Sequence, residues 1–230
     1  MLAMHEFISE KNIAFSPKEF KSQQFLMIDD FIPRDFVYRY FLPEVMQCEP
    51  FTHRVNLPGI KKSGSVSAHH IKIHAPELFA LYHSDWMKEQ VEKSVGEKLF
   101  VCPERDPHAV ALYYYTEAGD HIGVHFDKSF YRGQRYTVLL GLIQDSVNSK
   151  LMCYPDATKW NRRKNPLEIY TYPGMLVIFN GDVLWHEVTP LAENEKRVVL
   201  SMEFVTDQRM STVNRFISDC KDKWFYFGKR

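Results

Sequence analysis

The chain has 230 residues, of which 45% are hydrophobic and 25% are charged, ordinary proportions for a globular domain with a sizeable core. Its 29 basic and 29 acidic side chains cancel, so no overall charge favours nucleic acid or a membrane surface. No apolar run reaches the roughly 18 residues that a membrane-spanning helix needs.

The N-terminal residues and the cysteines indicate the compartment. Residues 1–12 contain neither a basic segment nor an apolar run, so we expect no signal peptide. The cysteines Cys48, Cys102, Cys153 and Cys220 are scattered and form no CxxC pair, as is typical of reduced, mostly buried thiols. We therefore expect a cytoplasmic protein.

The first half of the chain mixes helix and loop patterns. A short apolar run predicts a strand over 24–28, followed by a helix over 31–47 that two prolines interrupt. Residues 50–66 are rich in turn residues and predict a loop. Helical spacing of apolar residues predicts a further helix over 76–97, with Gly96 at its end.

The second half is rich in β-branched and aromatic residues. Short runs separated by Gly, Pro, Asn and Asp predict eight strands, at 108–116, 121–126, 134–143, 149–154, 167–172, 174–179, 183–189 and 195–206. Strands at this spacing favour an antiparallel sandwich or barrel. A closing helix is predicted over 208–220, so the coarse fold is a set of helices packed on a β-sandwich that carries the chemistry.

Two histidines and one aspartate in this half form a possible metal-ligand set. His125 and Asp127 are two positions apart on or just after one strand, so their side chains point to the same side. His186 follows on a later strand. Two imidazoles and one carboxylate form the facial triad of non-haem iron sites, which leaves coordination positions open. Such a pattern also occurs by chance, so the neighbouring residues have to support it.

Arg197 lies eleven residues after His186 on the next predicted strand. The strand alternates, which places Arg197 on one face together with Val199, Ser201 and Glu203. If that face is buried, the guanidinium needs an anionic partner, and a carboxylate fits it through two parallel hydrogen bonds. The alternative is a surface arginine that pairs with Glu195 or Glu203.

These residues carry a resemblance to a known family. The strings YYYTEAGDHIGVHFD, RYTVLL and YPGMLVIFNGDVLWHEVTP, followed by Arg197, resemble the 2-oxoglutarate and iron(II)-dependent dioxygenase superfamily, in particular its prolyl-hydroxylase branch. The resemblance covers about residues 108–206, and a weaker similarity is present nearer the N-terminus in the string FLMIDDFIP. It implies that His125, Asp127 and His186 hold Fe(II), and that Arg197 and Tyr115 bind the distal carboxylate of 2-oxoglutarate.

The resemblance also implies the fold and the reaction. It predicts a mainly β, α+β domain with a double-stranded β-helix (jelly-roll, cupin-like) core over 108–206. Supporting helices are expected in 1–107 and 207–230, within a single domain. The implied activity is hydroxylation of an unactivated carbon with Fe(II), 2-oxoglutarate and O2 as cofactors and co-substrates.

The chain departs from the family pattern at several positions. Val199 stands where a serine or threonine is usual, and Asn148-Ser149 replaces a Gly-Gly pair. On the strand after the His-x-Asp pair, Thr137 is the residue that we expect to donate a hydrogen bond to 2-oxoglutarate in place of a second tyrosine. The chain also resembles enzymes that act on free amino acids, some of which are halogenases. Those halogenases lack the acidic ligand, so Asp127 favours hydroxylation.

The sequence constrains the substrate less closely. Segment 51–74 contains no acidic residue, and segment 159–164 (KWNRRK) is strongly basic. Either segment could bind an anionic small molecule or nucleic acid, or could simply face solvent. Because the net charge is zero, we expect nucleic acid less than a small anionic molecule. We expect a small, polar, carboxylate-bearing substrate held by Arg54 and Arg132, with Trp185 near the pocket. A peptide hydroxylase and a catalytically silent β-sandwich binding module remain alternatives.

Overall fold

The computed structural model describes residues 17–103, 106–127 and 129–210, which form a curled antiparallel sheet covered by helices. This is the expected jelly-roll core. Residues 1–16 and most of the helix predicted over 208–220 lie outside the described residues.

All eight strands predicted in the second half are confirmed. With four strands from the first half, the described sheet consists of β1 (Phe25–Ile28), β2 (His53–Leu57), β3 (Lys61–Val66), β4 (Phe100–Val101), β5 (Val110–Tyr115), β6 (His121–His125), β7 (Arg135–Asp145), β8 (Leu151–Tyr154), β9 (Leu167–Ile169), β10 (Leu176–Asn180), β11 (Trp185–Val188) and β12 (Lys196–Val205). Neighbouring strands follow the order β1-β10-β7-β12-β5-β3-β6-β11-β8-β9, and in addition β2 pairs with β3 and β4 pairs with β12.

The helices precede most of the sheet in the chain. They are α1 (Pro17–Gln23), α2 (Arg34–Phe36), a π-helical turn (Val37–Phe41), α3 (Leu42–Cys48), a 3-10 turn (Glu49–Phe51), α4 (Ala68–His74), α5 (Pro76–His83) and α6 (Asp85–Val95). None of the described helices is long and apolar enough to cross a membrane.

The helix predicted over 76–97 is in fact two helices. The backbone of Ser84 is extended, with ψ of 140°, and its hydroxyl accepts a hydrogen bond from the Met87 amide to start α6. Gly96 ends α6 in the left-handed region, as predicted. The sequence pattern missed the break because apolar spacing continues across Ser84.

The loop predicted over 50–66 is wrong, because these residues form the hairpin of β2 and β3. The turn residue Gly59 has φ of +73°, which suits the turn between the two strands. Gly64 lies within β3, and a glycine fits there because a Cβ would lie 2.3 Å from Cγ2 of Thr52. The hairpin matters for the architecture, since β3 pairs with both β5 and β6 and so joins the two halves of the sheet.

Two buried clusters lie on opposite faces of the sheet. On β12, Val198, Leu200, Met202 and Phe204 belong to the larger cluster, which also contains the apolar faces of the helices. The second cluster contains residues on the inside of the curl, among them Tyr115, Leu139 and Phe179. The alternation predicted for β12 is confirmed, and Arg197, on the face opposite Val198, points to the inside of the curl.

Candidate metal centre and cavity

His125, Asp127 and His186 meet at one point inside the curl. Strands β6 and β11 are paired so that His125 lies directly opposite His186, and Asp127 follows two positions after His125. The three possible ligand atoms all lie within 4.8 Å of one another. Nε2 of His125 is 3.5 Å from Oδ1 of Asp127, and Nε2 of His186 is 3.8 Å from Oδ2.

Backbone carbonyls orient the two imidazoles. Nδ1 of His125 lies 2.8 Å from the Gly123 carbonyl, and Nδ1 of His186 lies 3.0 Å from the Leu184 carbonyl. A carbonyl only accepts, so each Nδ1 carries the proton and each Nε2 presents its lone pair to the centre. Burial and the neighbouring His125 lower the pKa of His186 to about 4, so this ring is neutral at pH 7. A neutral imidazole is the form that binds a metal.

A cavity of about 170 Å³ adjoins the three ligands. Arg197 and Tyr115 form a deeply buried part of its wall, with 0% and 1% of their surface exposed. Phe126, which lies between His125 and Asp127, and Tyr131, which follows them, line a more exposed part of the wall. The cavity therefore connects the possible metal site to a buried cation.

The guanidinium of Arg197 is buried without a hydrogen-bonding partner. No described residue accepts a hydrogen bond from its Nε, Nη1 or Nη2. Its carbon lies 5.0 Å from the centre of the Tyr115 ring, and burial raises the pKa of that tyrosine to about 12 against the opposing effect of the guanidinium. The alternative of a surface arginine is wrong, because Glu203 pairs with Arg135 and Glu195 binds a neighbouring loop.

Thr137 lies between two carboxylates. Its hydroxyl is 2.9 Å from Oδ2 of Asp127 and 3.0 Å from Oε2 of Glu203. Nε of Arg135 donates to the same Oε2 at 2.7 Å, while burial raises the pKa of Glu203 to about 7 against the effect of Arg135. The single hydroxyl proton can be donated to only one of these carboxylates at a time, and the expected hydrogen bond from Thr137 to 2-oxoglutarate stays a prediction.

The two arginines expected to bind substrate lie outside the cavity wall. Arg54 donates to Asp120 at 2.5 Å, and its Nε lies 3.0 Å from Glu117. Arg132 is exposed. The expected substrate role of Arg54 is therefore revised, because its guanidinium already has two carboxylate partners.

Trp185 stands behind the cavity rather than in its wall. Its ring packs edge-on against Phe126, with 5.0 Å between the ring centres, and the guanidinium of Arg162 lies 4.6 Å from its centre. Trp185 thus contacts a cavity-lining residue and connects it to the basic segment 159–164.

Several cavity residues were missed by the sequence interpretation. Lys61 is 4% exposed, lines the cavity and places its ammonium 4.8 Å from the centre of the Tyr113 ring. Lys61 lies in β3, within the segment 50–66 that was predicted to be a loop, so the sequence pattern did not predict which way its side chain faces. Arg135 is the half-buried partner of Glu203, a residue that the alternation of β12 had already placed on the cavity face.

Comparison with known proteins gives matches at the level of structure. No protein-family model matches the chain, and no curated protein matches its sequence. The non-haem alpha-ketoglutarate-dependent epimerase SnoN from nogalamycin biosynthesis superposes with a TM-score of 0.68 at 12% identity, over 82% of this chain and 80% of its own.

Two further solved structures have the same architecture. A prolyl hydroxylase from Trichoplax adhaerens, in complex with a peptide fragment of hypoxia inducible factor, superposes with a TM-score of 0.59 at 13% identity, over 88% of this chain and 90% of its own. HygX from Streptomyces hygroscopicus, with nickel and 2-oxoglutarate bound, gives 0.58 at 13% identity, over 82% and 85%. The chain therefore has the fold of the 2-oxoglutarate-dependent non-haem oxygenases.

Proposed function

We propose that this protein is an Fe(II)- and 2-oxoglutarate-dependent oxygenase that hydroxylates an unactivated carbon of a small polar molecule. The observation that carries the proposal is the buried guanidinium of Arg197, which lines the same cavity as the three metal ligands. An unpaired charge of this kind is costly to bury, so its presence is best explained by an anionic ligand. A dicarboxylate that also reaches the metal is such a ligand.

The residues present fit both groups. His125, Asp127 and His186 supply two nitrogens and one oxygen, the ligand set of non-haem iron sites. Arg197 supplies a planar fork for a carboxylate, and Tyr115 supplies a hydroxyl beside it. When bound, the metal and 2-oxoglutarate would supply the oxidation of a C–H bond by O2, with release of succinate and CO2.

The cavity supports a small substrate. Its volume of about 170 Å³ suits a small molecule. We retain a carboxylate-bearing molecule such as a free amino acid as the substrate class. Lys61, a buried residue of the cavity wall, replaces Arg54 as the cationic residue that we expect to contact that carboxylate.

The first test measures iron and co-substrate together. The metal-free protein is titrated with Fe(II) without oxygen and then with 2-oxoglutarate, and succinate is measured after oxygen is admitted. We expect one iron per chain, 2-oxoglutarate binding that depends on Arg197, and slow succinate release without a primary substrate. Asp127→Ala is the matched variant without the acidic ligand.

A screen of free amino acids and short peptides then addresses the substrate by the mass increase of one oxygen. Faster succinate release with an amino acid supports the proposal, whereas faster release only with peptides favours a peptide hydroxylase. A protein that binds neither Fe(II) nor 2-oxoglutarate would instead be a binding module that kept the fold.

A further inference from the structure

Asp127 is tied to strands β7 and β12 through both its side chain and its main chain. Its Oδ2 contacts the hydroxyl of Thr137, as described above. Its amide donates to the Gly181 carbonyl at 2.7 Å, and the Gly181 amide in turn donates to the Arg135 carbonyl at 3.0 Å. Asp182 then accepts a hydrogen bond from the Arg135 amide at 3.0 Å. The side-chain contacts of Asp127 and its main-chain hydrogen bonds therefore both connect it to Arg135.

The packing around Asp127 leaves little space for movement. A Cβ at Gly181 would lie 3.0 Å from Cβ of Asp127 and 3.0 Å from Oγ1 of Thr137. Thr137 and Glu203 lie directly opposite each other on β7 and β12, and Glu203 is 4% exposed. The contacts thus form one connected group: Arg135 donates to Glu203, and the hydroxyl of Thr137 lies within hydrogen-bonding distance of both Glu203 and one oxygen of Asp127, to either of which it can donate its single proton.

An iron-binding aspartate needs this kind of support. The terminal torsion of an aspartate is broad, so its two oxygens exchange places easily and can bind a metal singly or together. A facial triad keeps its open positions only if the carboxylate uses one oxygen. A hydroxyl bound to Oδ2 leaves Oδ1 for the metal.

We propose that Thr137, Glu203 and Arg135 are positioning residues that hold the Asp127 carboxylate in a single-oxygen binding mode. The inference rests on the proposed function, because it assumes that Asp127 is a metal ligand. It assigns a new role to Thr137, which sequence reasoning placed at the co-substrate. Groups that orient a metal ligand usually change metal affinity or activity by about 10- to 100-fold when they are removed.

The test removes the Thr137 hydroxyl with little change of shape. Thr137→Val is expected to weaken Fe(II) binding about 10- to 100-fold and to change the visible spectrum of the Co(II)-substituted protein. Thr137→Ser keeps the hydroxyl and should restore both. The matched control is Thr171→Val, since Thr171 is also fully buried and its hydroxyl instead faces Gln144 at 3.4 Å.

Two further measurements keep the outcomes separate. Thr137→Ala avoids a misplaced methyl group, so it reports on the hydroxyl if the valine variant does not fold. 2-Oxoglutarate binding to the iron-loaded protein is measured alongside.

If wild type binds no Fe(II), the proposed function fails. If wild type binds Fe(II) and the valine and alanine variants match its affinity and its Co(II) spectrum, the positioning role is overturned. A loss of 2-oxoglutarate affinity with normal metal affinity would return Thr137 to the co-substrate and also overturn it.

Discussion

The guanidinium of Arg197 should have opposite effects on stability and on ligand binding. It is fully buried, and no described residue accepts a hydrogen bond from it, so it destabilises the protein until an anion binds. We expect Arg197→Met to raise the unfolding free energy of the ligand-free protein by about 1–3 kcal/mol. The same change should weaken 2-oxoglutarate binding by about 2–5 kcal/mol.

Chemical denaturation and calorimetric titration measure the two effects separately. Arg197→Lys is the control, because it keeps the charge but loses the planar fork, and its affinity should lie between those of wild type and the methionine variant. A methionine variant that is less stable than wild type would mean that the guanidinium has a partner in the ligand-free state.

Arg54 should act on stability rather than on substrate. It is the partner of Asp120, whose side chain is 0% exposed and whose Oδ2 also accepts hydrogen bonds from the amides of Thr116 and Glu117. Arg54→Met removes the nearer of two cations from that carboxylate and leaves only Lys62, 4.0 Å away, so we expect a loss of about 1–3 kcal/mol in unfolding free energy. The exposed Arg132 is the control, and Arg132→Ala should change stability by less than about 0.5 kcal/mol. If Arg54→Met keeps full stability but loses substrate-stimulated turnover, the original substrate role is correct.

At the level of elements, one glycine couples the N-terminal segment to the sheet. Gly174, just before β10, has φ of +86°, and a Cβ there would lie 1.9 Å from the Ile32 carbonyl oxygen. Its own carbonyl accepts the Ile32 amide at 3.0 Å. Gly174→Ala therefore combines a strained backbone with a backbone clash.

We expect Gly174→Ala to lower the unfolding free energy by more than about 3 kcal/mol, or to prevent folding. Gly119 has φ of +80° with nothing within 4 Å of an added Cβ. Gly119→Ala should therefore lower the unfolding free energy by backbone strain alone, about 1 kcal/mol. Urea denaturation of both variants compares them. Equal losses would show that the segment around Ile32 moves aside at no cost.

A second element-scale contact joins the β7–β8 loop to the turn before β12. The Glu195 carboxylate accepts hydrogen bonds from Ser146, from the Val147 amide, from the Asn148 side chain and from the Ala192 amide. Burial acts against them, but these bonds lower the pKa of Glu195 to about 2, from an ordinary value of 4.5. A depressed pKa means that this stabilisation is present above about pH 4.5 and is lost as the pH falls through 2.

Glu195→Gln should therefore lower the thermal midpoint at pH 7, by an amount equivalent to about 1 kcal/mol for a group this close to solvent. The gap between variant and wild type should narrow as the pH is lowered from 4.5 towards 2. Thermal melts over this pH range measure it. A gap that stays constant with pH would show that the charge of Glu195 contributes nothing.

For the whole molecule, metal binding should stabilise the fold because the three ligands come from distant parts of the chain. The strands that carry His125 and His186 are paired in the folded sheet, and an unfolded chain does not hold the three ligands together. Fe(II), or Co(II) in its place, at 100 times its dissociation constant should raise the unfolding free energy by about 2.7 kcal/mol. Thermal shift without oxygen measures this, and Asp127→Ala should respond much less. An equal response in Asp127→Ala would locate the metal at another site.

The sequence alone determined the strands of the second half, the two faces of β12 and the candidate ligands. These features depend on spacing within one element: alternation places Arg197 on the cavity face of β12, and a separation of two positions keeps His125 and Asp127 together. Local spacing was misleading where turn residues sit inside a paired strand, as Gly64 does in β3.

Only the tertiary structure decided which polar groups meet. Arg54 reaches Asp120 across 66 positions, and Thr137 reaches Glu203 across 66 positions, through contacts that no local pattern encodes. Those partners place the guanidinium of Arg54 against two carboxylates outside the cavity wall, and the hydroxyl of Thr137 beside the candidate metal ligand Asp127. The physical reason is that a buried charge or hydroxyl takes the nearest partner that the folded sheet brings to it, and that partner depends on strand order rather than on sequence spacing.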